Sequence, residues 1–142
     1  MTGGRVRPWP ARESVYPTCT VLTVANAAQA LHVFERVARS VGYRTGVHAP
    51  GHIRAVLGRR WLGLVAETVG LPPVRPFLHV ELDVVALPAA PTGTRLQITC
   101  GRGGQELGVA TRVAGLVERL LAELDAPGQP AQASAWASGP PA

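Results

Sequence analysis

At 142 residues, with 46% apolar and 16% charged side chains, the chain has the length and composition of one domain with a proper core and is too short for two. All 14 basic residues are arginine, which excludes Schiff-base and cofactor-linked lysine chemistry. The net charge of +5 favours an anionic partner only weakly, because an all-arginine chain with 9 acids reaches a high pI unaided.

Residues 1–17 carry Arg5, Arg7, Arg12 and Trp9 among three prolines, a pattern that prevents continuous helix and predicts a flexible basic arm. They contain no apolar leader segment, and no later stretch approaches the roughly 18 apolar residues of a membrane span. A cytoplasmic location is expected. Order is expected from Thr18, where the β-branched run Thr18 to Ala25 reads as the first strand.

At Asn26 the period changes. Ala27, Ala30, Leu31, Phe34, Val37, Ala38 and Val41 fall three and four apart, the stripe of an amphipathic helix. Asn26 and Gln29 form a capping-box pair, Glu35 precedes Arg39 by four residues, and Gly42 supplies a left-handed stop.

Residues 43–70 fit two patterns. As strands, His52 to Gly58 and Trp61 to Val69 make a hairpin about Gly58, Arg59 and Arg60; as a helix, Ile53, Val56, Leu57, Trp61, Leu64 and Val65 share a stripe. Gly58 and Gly63 would each cost a helix interior about 1 kcal/mol, and no capping residue precedes them, which favours strands.

The next segments are clearer. Phe77 to Ala86 alternates Leu78, Val80, Leu82, Val84 and Ala86 with His79, Glu81 and Asp83, and Thr94 to Cys100 alternates in the same way. Together they predict an antiparallel hairpin. A second amphipathic helix follows from about Glu106 to Leu124, its stripe running from Ala110 to Leu124 and widened by Leu107 and Leu116. After Pro127 and Gly128, the Ala, Pro, Gly and Ser composition of residues 126–142 predicts a disordered tail.

The expected fold is therefore α+β, a two-layer sandwich over residues 18–125. Its antiparallel sheet has about 4–5 strands in the order β-α-β-β-β-β-α, or β-α-α-β-β-α if residues 52–69 are helical. In element order alone this resembles a reduced helix-grip domain, a curved antiparallel sheet folded about a long C-terminal helix. No motif accompanies the likeness, and a fold of this kind would not fix a function.

Chemistry-bearing residues are few. His79, Glu81 and Asp83 share one strand face at spacings of about 7 Å and could bind a metal or move a proton, but one His with two carboxylates lacks a fixed ligand motif, which favours a solvated face with Arg95 balancing the acids. His48 and His52 are separated by Pro50 and Gly51, which predicts a loop, and His32 borders the first helical stripe. Gly101-Arg102-Gly103-Gly104 lies between a strand and a helix, where backbone amides can hold an anion, but it matches no phosphate-loop pattern. Cys19 and Cys100 lack CxxC spacing and read as buried free thiols.

No catalytic motif, cofactor motif or metal motif emerges. Three functions remain in view. One is a non-catalytic binding module presenting an apolar groove, with Leu107, Leu116, Leu120 and Trp61 as the surface for a small ligand, a partner protein or a second copy. Another is a nucleic-acid-binding protein using Arg54, Arg59, Arg60 and Arg102 with the N-terminal arm. The third is an enzyme or metal-binding protein built on His79, Glu81 and Asp83.

Overall fold

A computed structural model of the protein describes residues 6–10, 16–58, 79–89, 92–101 and 108–138. The elements are β1 (Pro17–Thr23), α1 (Ala27–Ser40), β2 (Arg44–Ala49), β3 (His52–Leu57), β4 (Val80–Pro88), β5 (Thr94–Cys100), α2 (Val109–Leu124), β6 (Gln132–Ala133) and β7 (Ala137–Ser138). The strands form one antiparallel sheet in the order β2-β3-β4-β5-β1-β6, and β7 pairs with the opposite end of β1.

Period-two alternation assigns β1, β3, β4 and β5 a dry face and a polar face. The register aligns the dry residues in rows across the sheet: Ile53, Val84, Ile98 and Cys19 in one, Ala86, Leu96 and Val21 in the next, Ala55, Leu82 and Cys100 in a third. Both helices cover this face. From α1 come Ala30, Phe34, Val37 and Ala38. From α2 come nine buried residues, among them Val113, Val117, Leu120 and Leu121 with no exposed surface. This is the α+β two-layer sandwich that the periodicity predicts.

The signals that set α1 are all present. Asn26 Oδ1 accepts from the Gln29 amide at 2.9 Å, the Gln29 side chain accepts from the Asn26 amide, and Gly42 adopts φ 100°. The predicted pair of Glu35 and Arg39 closes at 3.0 Å. Helix α2 starts at Val109, behind Gly108 at φ 87°; Glu106 and Leu107 fall outside the described residues.

One alternative is excluded and one strand was unforeseen. Residues 52–57 are a strand, which rules out the helical alternative there, and a hairpin turning at Pro50-Gly51 joins β3 to β2. Strand β2 escapes the sequence because it is an edge: five of its six residues are exposed, so it carries no apolar alternation. The hairpin arm expected at Trp61 to Val69 lies outside the described residues.

The two chain ends also differ from expectation. Val6 and Trp9 of the supposed flexible arm are 7% and 3% exposed, and Trp9 stacks edge-on against Trp136 at 4.6 Å. The supposed disordered tail follows β1: the Ser134 amide donates to the Thr20 carbonyl at 2.8 Å, Ser134 Oγ accepts from the Thr20 amide at 2.9 Å, and Ala131 is buried. Composition misleads here because small residues can lie flat against a free strand edge, while one aromatic per segment suffices to dock it.

Cys19 and Cys100 are buried free thiols. They lie on adjacent strands, but Cys19 faces Ile98 while Cys100 lies two positions further along. That diagonal spacing of about 7–8 Å exceeds disulfide reach. Among the described residues, no helix is long and apolar enough to cross a membrane.

Candidate functional site

The polar face of the sheet gathers three of the four histidines. Asp83 Oδ1 lies 3.1 Å from His52 Nε2 and accepts from Arg54 Nε at 3.1 Å; both partners come from β3, whose Arg54 stands directly opposite Asp83. His79 Nε2 lies 3.0 Å from Glu81 Oε1 on the same strand. His79, Glu81 and Asp83 are thus split into two separate pairs. The expected balancing cation, Arg95, sits opposite Leu87 instead, and β3 supplies the balance.

The pair His48 and His52, expected in a loop, flanks the β2–β3 turn, with ring centroids 4.8 Å apart at 70°. Pro50-Gly51 breaks a helix but makes a tight hairpin, which brings the two rings together across it. His32 is exposed on α1. No group of three or more His, Cys, Asp or Glu among the described residues is placed to hold a metal ion.

A different arrangement occurs on the helix side. A cavity of about 450 Å³ opens where α1 ends beside α2, lined by Ser40, Val41, Tyr43, Arg112, Gly115, Leu116 and Arg119. Gly42 turns the chain there, so Tyr43 enters the interior at the root of β2. Tyr43 is 3% exposed, and its hydroxyl is buried with no hydrogen-bond partner among the described residues. Burial holds its pKa well above the usual phenol value, and the Arg112 guanidinium acts in the opposite sense.

On α2, Arg112, Gly115 or Leu116, and Arg119 recur at three, four and seven residues, which puts them on one helical face. The acids of that helix are engaged elsewhere: Glu118 accepts from the Val6 amide, and Glu123 pairs with Arg36 at 2.9 Å. Among the described residues, neither Arg112 nor Arg119 has a carboxylate partner. Gly115 is a helix-interior glycine where an added Cβ would meet nothing within 4 Å. Sterics do not require it.

Of the residues singled out by sequence, Leu116 lines this cavity, whereas Leu120 is fully buried in the core. The surplus apolar stripe of α2 is absorbed within the chain, by a sheet of five long strands together with Val6, Trp9 and Ala131. Arg54 is tied to Asp83, and Trp61, Arg59, Arg60, Arg102 and Leu107 fall outside the described residues. Sequence reasoning passed over Tyr43, Arg112, Gly115 and Arg119. The available signal was a glycine in mid-helix flanked by arginines three residues before and four after.

No known family matches the chain, and no curated protein matches it in sequence.

Proposed function

We propose that this protein is a non-catalytic binding module that holds a small ligand in the cavity between the end of α1 and α2. The observation that carries the reading is the cavity itself, lined by Tyr43, whose hydroxyl is buried with no hydrogen-bond partner among the described residues. An unsatisfied buried hydroxyl costs a fold about 1–3 kcal/mol, and a ligand that supplies its partner would recover that cost. The walls are mixed: Ser40, Arg112 and Arg119 offer polar contact, and Val41, Leu116 and Tyr43 offer a smaller apolar part.

The groove expected from the apolar stripe is thereby relocated. It lies at the Leu116 end of the α2 surface, not along Leu120. The test is an amide chemical-shift screen of the full chain against small aromatic and aliphatic compounds, neutral and charged. Perturbations clustered at Tyr43, Gly115 and Leu116 are expected. Hits confined to the polar sheet face around His52 and Asp83, or none at all, would contradict the proposal.

A further inference from the structure

We infer that the ligand of this cavity is a small organic anion, a carboxylate or phosphate monoester carried on an apolar body; the inference rests on the binding reading above and specifies its ligand class. Three observations converge.

The first is charge. Arg112 and Arg119 both line the cavity and lack a carboxylate partner among the described residues, although α2 carries Glu118 and Glu123. Those acids are held by the Val6 amide and by Arg36, so the helix has acceptors and does not spend them on these two arginines. Two guanidiniums about two helical turns apart on one face form a clamp of the kind that suits a bidentate oxyanion.

The second is the donor. The Tyr43 phenol keeps its proton, since burial raises its pKa, and so it can donate to an anion but not pair with a cation as phenolate. Its hydroxyl is buried without a partner, in a residue that is 3% exposed and lines the same space as the arginines. A neutral donor in a residue that shares a cavity with two arginines suits an acceptor-rich, negatively charged group.

The third is room. Gly115 lies between the two arginines on α2, where alanine would favour the helix and meet no obstruction. A missing side chain at that place leaves the helix backbone open to the ligand. Val41 and Leu116 then supply the apolar wall that inorganic ions would not use.

The test is isothermal titration calorimetry of the full chain with four probes sharing one ring or none: benzoate, phenyl phosphate, neutral benzamide, and inorganic phosphate. Expected are measurable binding of benzoate or phenyl phosphate, weaker binding of inorganic phosphate, and at least about a tenfold preference over benzamide that shrinks with added salt. The ratio of benzoate to phenyl phosphate affinity tells the carboxylate source from the phosphate one. Arg112→Gln and Tyr43→Phe should each weaken the anion about tenfold or more, and Gly115→Leu should abolish binding of every probe. Benzamide binding as tightly as the anions, with Arg112→Gln and Arg119→Gln without effect, would overturn the anion assignment while leaving the binding reading intact. Should none of the probes bind, and a broader neutral set also fail to perturb Tyr43 and Gly115, both would fall together. Circular dichroism of each variant shows that the loss arises in a folded protein.

Discussion

The two faces of the sheet handle polar groups in opposite ways. On the open face each described acid has a base beside it: Asp83 holds His52 and Arg54, and Glu81 holds His79, through contacts that the strand register creates directly. On the helix side, at the end of α1, a buried hydroxyl has no partner and two arginines have no acid among the described residues. The richer collection of titratable side chains is thus the more fully paired one, although His79 Nδ1 is also buried there with no hydrogen-bond partner among the described residues. The difference teaches that unfinished polar chemistry marks a site better than a cluster of reactive residue types does.

The contrast can be broken most severely in the layer beneath the cavity. Leu120→Ala removes a fully buried side chain from the helix–sheet core and should cost about 2–5 kcal/mol in urea unfolding. A loss under about 1 kcal/mol would mean that α2 is not packed as described.

Alkaline pH should act next. Burial pushes the Cys100 thiol up to about 12 from its ordinary 9.0, and raises Cys19 and Tyr43 as well. Above pH 9 the unfolded chain releases thiol protons that the native chain keeps, so the native state binds more protons and stability falls as pH rises. The contribution is complete below about pH 9 and declines toward about pH 12. Urea midpoints should therefore drop between about pH 8 and about pH 11, and less so in Cys100→Ala measured against its own neutral-pH value. A midpoint that rises over that range would contradict the burial of these groups.

The polar face should respond least. Asp83→Asn removes the charge shared by His52 and Arg54, but Arg54 is 46% exposed, and the expected loss is at most about 1 kcal/mol. Should the loss reach about 3 kcal/mol, the pairs on this face would be structural in a way their exposure does not suggest.

How much of this was legible in the sequence follows from where each signal resides. Helix α1 could be read from end to end, because Asn26, Gln29, Glu35, Arg39 and Gly42 act within a few residues of one another. Strands β4 and β5 were legible for a similar reason, since one buried face imposes strict alternation. Strand β2 and the residues that pair with β1 near the C-terminus were not. β2 is an exposed edge ordered by its hairpin to β3, and the C-terminal residues are ordered by hydrogen bonds to β1 and by Trp9 meeting Trp136, contacts between segments more than 100 residues apart. The cavity was hidden for the same cause. Tyr43 and Arg112 are unremarkable until the fold brings the start of β2 beside α2, and only Gly115, costly in a helix interior, departed from its local pattern.

The most direct test of the central claim is the stability of Tyr43→Phe in the absence of any ligand. If the hydroxyl is an unpaired group retained for a guest, its removal should leave urea stability unchanged or raise it by about 1 kcal/mol, because a buried polar atom without a partner is lost and the ring remains. A decrease of about 1 kcal/mol or more would show that the hydroxyl already has a partner inside the protein, and the site would then be core.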